Sequence, residues 1–511
     1  MHTGDYYPQV FPPDPDTVEF GSHRADPLAE LEVRPHLFVD GEWAHASGGG
    51  TFPVTDPGNG ACLAEVSDAQ PEDALRGLSA AAQAGPDWAA TPGRQRADVL
   101  RALFESLTEK AEPLARLIAL ESGKAMAEAR AEVGYGTEFL RWYSEEAAHL
   151  RGSYADSPAG ADRFVVQRRP VGPCLLITPW NFPLAMVTRK LAPALAAGCS
   201  VVVKPPKETP LTALAVAGWA EHAGVPAGVL NVVPTARSAP LGEALLGDPR
   251  LRKLSFTGST EVGRHLLRAA SENLVRTSME LGGNAPLIIF ADADLDLAVR
   301  EAVVAKIRNG GESCVAANRI YVEGKVAEEF VERFASALQS LTVGHPLEGA
   351  DVGPLINDEA LERIDGLVAD AVVQGSALVT GGKALPGAGP GSYYAPTVLV
   401  DVPPECRIMH EEIFGPVAPI QRFTSEEEVV RLANETPFGL ASYLFTSDLG
   451  RSWRVADRLE AGMVGVNKGV VSNVAAPFGG VGASGLGREG GPEGLDEYLE
   501  ERYILFGGTS V

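Results

Sequence analysis

The order of apolar and polar positions divides the chain into two rhythms. Between Pro71 and Leu150 apolar residues recur at helical spacing, which predicts helices over roughly 71–84, 94–122 and 126–150. From Val171 short apolar runs alternate with amphipathic stretches. The runs are Cys174–Ile177, Val201–Val203, Leu230–Val233 and Leu254–Phe256; the stretches are Leu184–Ala197, Leu211–Ala223, Leu241–Leu246 and Glu261–Ser271. Repeated alternation of this kind predicts an α/β fold, a parallel sheet covered by helices. A second series begins at Pro286-Leu287-Ile288-Ile289-Phe290 and runs to about Gly482. Two extended segments, Asp162 to Arg169 and Glu500 to Phe506, fit neither series. They read either as edge strands of a domain sheet or as strands pairing outside both domains. Residues 1 to about 35 are rich in proline and acid and predict a poorly ordered tail.

Composition narrows the picture. A chain of 511 residues holds two or three domains with a large core. A net charge of −24 argues against nucleic acid or an anionic membrane surface as partner. An anionic ligand would need a local cluster of arginines. The five cysteines are scattered and no His-x-x-x-His pattern occurs, so no disulfide framework and no metal site is predicted. This suits a reducing, cytoplasmic compartment. No signal peptide and no apolar run long enough to span a membrane is seen.

Three segments carry chemistry. Asn309-Gly310-Gly311-Glu312-Ser313-Cys314 places a cysteine behind a glycine pair, after the helical pattern Leu295 to Arg308. Met279-Glu280-Leu281-Gly282-Gly283-Asn284 offers a carboxylate beside glycines. Thr178-Pro179-Trp180-Asn181-Phe182-Pro183 offers a side-chain amide. A thiol, a carboxylate and an amide are the parts that oxidise an aldehyde through a thioester. The thiolate of Cys314 attacks, Asn181 steadies the oxyanion, and Glu280 activates water.

In this order and spacing the segments resemble the aldehyde dehydrogenase superfamily, from about Phe38 to Phe506. Within it, Arg189 to Cys199, Ser255 to Gly263 and Gly485 to Gly490 are most similar to the succinate-semialdehyde dehydrogenases. The resemblance implies a Rossmann-type dinucleotide-binding domain over 36–150 and 171–282. It implies a catalytic domain over 283–482. Residues 151–170 and 483–511 would form a small β oligomerisation arm and the C-terminal return, giving a homodimer or homotetramer by strand addition.

The two Gly-x-Gly-x-x-Gly matches, at 480–485 and 485–490, follow no convincing strand and read as a glycine-rich loop. Phe256-Thr257-Gly258-Ser259-Thr260-Glu261-Val262-Gly263 is the better phosphate site, because a strand there ends in glycine and hydroxyl residues and opens a helix. By resemblance Gly258 and Ser259 meet the pyrophosphate, Lys204 the adenosine ribose and Glu412 the nicotinamide ribose. Thr178, Pro179, Trp180 and Phe414 complete the cofactor site on the same ground. Relatives that prefer NAD carry glutamate three residues after the strand lysine; here Lys207 stands there. An ammonium favours a 2′-phosphate, so NADP is the expected cofactor, with NAD possible.

Arg189, Arg308 and Ser472 match the carboxylate-binding trio of succinate-semialdehyde dehydrogenases. The alternative for Arg308 is a cation complementing a helix C-terminus. The substrate implied is a small anionic aldehyde, succinate semialdehyde first. Glutarate semialdehyde or a sulfonated aldehyde would suit the same guanidinium pair, and a non-catalytic scaffold keeping the fold is the remaining reading. Some relatives carry a second cysteine two residues after the nucleophile, but here Ala316 stands there, which removes a redox switch of that kind.

Overall fold

A computed structural model describes residues 26–160 and 162–507. Two large sheets dominate. The first has the strand order Glu42–Ala44, Leu37–Val39, Leu230–Val232, Val201–Lys204, Cys174–Ile177, Lys253–Thr257, Arg276–Glu280 and Gly485–Leu486. Its five central strands are parallel. Cys174–Ile177 and the Val201–Val203 stretch are unbroken apolar runs because helices cover both faces, which leaves no solvated side to favour alternation, whereas Lys253–Thr257 and Arg276–Glu280 keep polar residues among the apolar ones.

Strand order reverses in the middle of this sheet. From Cys174–Ile177 the chain steps outward one way to Val201–Lys204 and Leu230–Val232, then returns to the other side at Lys253–Thr257. A crevice opens at such a point, beyond the carboxyl ends of the strands. The register sets five residues along that edge: Ile177 pairs with Lys204 and with Phe256, and Thr257 pairs with Glu280.

The second sheet has the order Ala377–Thr380, Thr397–Val400, Val417–Phe423, Ala317–Glu323, Ala285–Ile289, Ala441–Phe445 and Met463–Val466. All its pairs are parallel except the first. The Leu295–Ile307 helix packs against it and delivers the chain to Cys314. A separate three-stranded antiparallel sheet joins Ser153–Asp156, Arg163–Pro170 and Leu499–Phe506. The two extended segments of the sequence therefore pair with each other.

The helical region between Pro71 and Ala147 differs from its sequence pattern in two places. The helix expected to end near 84 runs on to Ala90. The stretch expected as one helix over 94–122 is two, Gly93–Glu109 and Ala111–Ser122, broken at Lys110. Pro113 explains the break, since it lacks an N–H and its ring would clash with the carbonyl of Glu109 in a continuous helix. The expected N-terminal tail is also shorter than 35 residues. Asp26 caps a helical turn at Pro27–Glu30, Leu31 is buried, and Glu30 pairs with Arg116. Residues 1–25 lie outside the described part.

Two buried carboxylates organise the helices beside the crevice. Glu132 accepts from the N–H groups of Leu184 and Ala185, where the Ala185–Ala197 helix starts. Glu121 does the same for Leu211 and Thr212 at the Leu211–His222 helix. Neither helix has a side-chain cap of its own, so carboxylates from neighbouring helices satisfy the orphan donors. All thirteen residues of the first of these helices are buried. No described helix is long and apolar enough to cross a membrane. All five cysteines are unpaired.

Candidate active site

A cavity of about 250 Å3 opens at the strand-order reversal. Pro179, Trp180 and Asn181 enter it from the end of one central strand, and Thr257, Gly258 and Ser259 from the end of the next. Cys314, Arg308 and Ser313 come from the loop after the Leu295–Ile307 helix. Glu412 and Phe414 close one side, and Arg189, Tyr135, Ser472 and Phe478 another. Residues from positions 135 to 478 thus meet in one space.

The nucleophile loop is tied directly to Asn181. The Asn181 Nδ2 donates to the carbonyl of Glu312 at 3.0 Å. Lys124 Nζ donates to the Asn181 carbonyl at 2.8 Å and forms a buried ion pair with Glu132. The Asn309 amide donates to both carbonyls. Cys314 is half-buried and faces the cavity. Burial pushes its thiol up to about 12; Arg189 opposes this, while Glu412 and Glu280 reinforce it. In the protein alone, desolvation and two nearby carboxylates outweigh the arginines.

Glu280 lies outside the cavity lining, at the end of its strand beneath Gly479. A Cβ on Gly479 would stand 2.8 Å from Glu280 Oε1, and Gly479 has a φ of 159°. Burial holds the Glu280 carboxyl well above the usual range, with Glu489 adding to the shift and Lys190 and Arg189 opposing it. The glycine-rich loop makes a similar close approach at Gly485. There φ is 132° and a Cβ would meet the carbonyl of Met279 at 1.9 Å. Side-chain-free backbone is what lets this loop lie across the end of the strand bearing Glu280.

The two arginines are held differently. Arg189 is buried, donates to the Tyr135 hydroxyl at 2.8 Å, lies 3.6 Å from Glu489 and sits 4.2 Å over the Phe478 ring. Arg308 leaves the helix with φ −47° and ψ 125°, and its guanidinium lies 5.0 Å over Phe182, facing the cavity. Tyr135, Phe478, Lys190 and Glu489 were not singled out from the sequence. The signal for Glu489 was present, because two adjacent buried cations, Arg189 and Lys190, require a carboxylate.

On the nucleotide side, Ser259 caps the Thr260–Ser271 helix, accepting from Val262 N–H. Lys204 is buried and drawn down to about 8 by desolvation, with Glu208 opposing. Burial raises Glu412 to about 7, against a hydrogen bond from Gly283 N–H and the charge of Arg363. Phe414 meets Trp180 edge-on at 5.4 Å. Arg363, also missed in the sequence, lines the cavity and donates to the carbonyls of Glu412 and Ile413. Thr178, Lys204, Lys207 and Glu280 are the predicted residues that do not line the cavity. Lys207 is exposed, 3.7 Å from Glu208.

Buried polar atoms without partners gather here. Thr178 Oγ1, Asn181 Oδ1, Arg189 Nε, Thr257 Oγ1, both Glu280 oxygens and Glu489 Oε2 are buried without a hydrogen-bond partner. Such groups are rare in folded proteins, and a cluster around one cavity marks a place built for polar ligands.

Comparison with known proteins agrees. The aldehyde dehydrogenase family profile matches residues 43–504. A succinate-semialdehyde dehydrogenase of Paenarthrobacter nicotinovorans is 54% identical over 86% of this chain and 98% of its own. A 3-sulfolactaldehyde dehydrogenase of Pseudomonas putida is 47% identical over 93% of this chain and 98% of its own. The crystal structure of an NADP dependent enzyme of E. coli superposes with a TM-score of 0.92 at 44% identity, covering 94% of this chain and 99% of that one. With a cysteine, an amide and a strand-end carboxyl gathered at the crevice of this fold, the chain belongs to the aldehyde dehydrogenase family, whose members are NAD(P)-dependent oxidoreductases.

Proposed function

We propose that this enzyme oxidises a short carboxylated aldehyde, succinate semialdehyde first, to the acid, with NADP preferred over NAD. One observation carries the substrate class: Arg189, Arg308 and Ser472 line the same cavity as Cys314. In a chain of net charge −24 this is a local positive site beside the nucleophile. A guanidinium fork there pairs with the distal carboxylate while the aldehyde carbon reaches the thiol. A sulfonated aldehyde, the class named for the Pseudomonas putida relative, and glutarate semialdehyde would suit the same guanidinium pair.

The residues fit a nicotinamide dinucleotide. Gly258 and Ser259, at a helix start, would meet the pyrophosphate, Lys204 and Lys207 would flank the adenosine ribose, and Glu412 would hold the other ribose. Trp180 and Phe414 are the aromatic wall, and the unpaired Thr178 and Thr257 hydroxyls suit polar groups of the cofactor. When bound, the cofactor supplies the two-electron acceptor.

The chain's own groups do the rest. Cys314 Sγ gives its proton to solvent and attacks the carbonyl carbon, whose π electrons move to oxygen, giving a tetrahedral anion. The second N–H of Asn181 Nδ2 and the Cys314 backbone N–H receive the oxyanion. Oxidation leaves a thioester on Cys314. Glu280, once deprotonated, takes a proton from water, whose oxygen displaces the thiolate. The first large sheet with its helices serves as the cofactor domain and the second as the catalytic domain. The three-stranded sheet serves as the arm by which copies associate.

The test is Arg308→Ala, measured on succinate semialdehyde and on an uncharged aldehyde of similar length. The charged substrate should lose on the order of 2–4 kcal/mol in kcat/KM and the neutral one little. Equal losses would overturn the carboxylate reading and leave Arg308 as a helix-end cation.

A further inference from the structure

We propose that Asn309 is a positioning residue that fixes the Asn181 amide against the nucleophile loop. The inference rests on the reading of Cys314 and Asn181 given above. Asn309 is buried and holds a left-handed backbone, with φ 57° and ψ 40°. That conformation strains most side chains and is tolerated by asparagine and glycine. Glycine would therefore suffice if the turn alone mattered.

The side chain does more than turn the chain. Asn309 Nδ2 donates to the Asn181 carbonyl at 3.0 Å and to the Glu312 carbonyl at 2.9 Å. Asn181 Nδ2 donates to that same Glu312 carbonyl at 3.0 Å. The three groups close a ring that links the oxyanion amide to a residue two positions before Cys314. The backbone joins in: Asn309 N–H donates to the Glu128 carboxylate, and the Asn309 carbonyl accepts from Glu312 N–H at 2.9 Å.

The consequence is geometric. The Asn181 side chain turns about its own bonds unless its amide is held. Its anchor is the Glu312 carbonyl, and Asn309 shares that anchor while gripping the Asn181 backbone. Without the Asn309 amide, the Glu312 carbonyl and the Asn181 main chain can shift relative to one another. An oxyanion donor displaced by a fraction of an ångström loses much of its effect. Asn309 does not line the cavity, and of the groups its amide holds Asn181 is the one that does.

That dependence is testable by a double-mutant cycle on the burst of reduced cofactor with succinate semialdehyde and NADP. Asn309→Gly keeps the left-handed turn and deletes the amide. It should slow the burst roughly ten- to hundredfold while NADP binding stays within about twofold. Combined with Asn181→Ala, the same change should slow the burst by no more than about a further twofold, because the group it positions is gone. If the two losses multiply, or if Asn309→Gly alone leaves the burst unchanged, Asn309 only shapes the loop and the proposal fails. If Asn181→Ala itself leaves the burst unchanged, Asn181 is not the oxyanion donor and both readings fall. Should Asn309→Gly lose NADP binding through misfolding, Asn309→Asp, which tolerates the left-handed turn and removes the amide donor, decides in the same cycle by the same criteria.

Discussion

Burial favours the protonated forms of Cys314 and Glu280, whereas the proposed mechanism needs both deprotonated. Burial pushes the thiol up to about 12 and keeps the carboxyl well above its ordinary range. Both the thiolate and the carboxylate are the deprotonated forms, so both steps gain as pH rises through the range below those pKa values. The burst rate should therefore climb between roughly pH 6 and pH 9 when followed by stopped flow with saturating cofactor. A flat profile would show that bound cofactor has already ionised the thiol. Glu280→Gln should keep a burst near one equivalent per site and then release acid slowly, since the carboxylate is needed only for the thioester. Loss of the burst as well would place Glu280 in the activation of Cys314. Lys207→Glu should move the cofactor ratio toward NAD by roughly 1–3 kcal/mol, because a carboxylate accepts from a 2′-hydroxyl and repels a 2′-phosphate. Lys207 is exposed and already near Glu208, so an unchanged ratio would place it outside the ribose site. The identities of these residues were legible as motifs. Their protonation was not, because it follows from what packs around them.

At the scale of elements, the helix Leu295–Ile307 has two tasks: it fills the second core and it aims the nucleophile loop. It carries one group that neither task needs. Lys306 is fully buried, donates to Asn318 Oδ1 at 3.1 Å, and is drawn down to about 7 by burial. The unfolded chain keeps that lysine protonated to about pH 10, so between the two values the unfolded state binds the extra proton. Stability from this group therefore rises with pH from about 7 to about 10. Lys306→Met should remove that slope. It should also raise stability near pH 7 by about 1 kcal/mol, even with the Asn318 acceptor left bare. Thermal melts across that range check both points, and a lower Tm at pH 7 would mean the ammonium has a partner worth more than its desolvation. The helix itself was legible from its apolar spacing. The break at Lys110 was legible only by giving Pro113 more weight than the periodicity around it. The capping of two helices by Glu121 and Glu132 was not, because those carboxylates come from other helices.

For the whole molecule, the three-stranded sheet leaves apolar side chains in solvent. Tyr154, Tyr503, Leu505 and Phe506 are all about half exposed or more. If this sheet is the association arm, replacing Tyr503 with serine and Leu505 with lysine should lower the mass seen by sedimentation velocity while the melt changes little. An unchanged mass would remove the arm from the interface. By itself the sequence determined the class of fold and marked the candidate reacting groups. Buried parallel strands favour short apolar runs between helices, and the proposed reaction needs a thiol, an amide and a carboxyl at recognisable spacings. The tertiary structure decided which distant segments share the site. Strand order brings Lys204, Ile177, Thr257 and Glu280 to one edge, and nothing local in the chain encodes that order. It also decided the electrostatics: Glu489 balances Arg189 and Lys190 from 299 positions away in the case of the lysine. A buried charge is set by every group around it, and those neighbours exist only once the chain has folded.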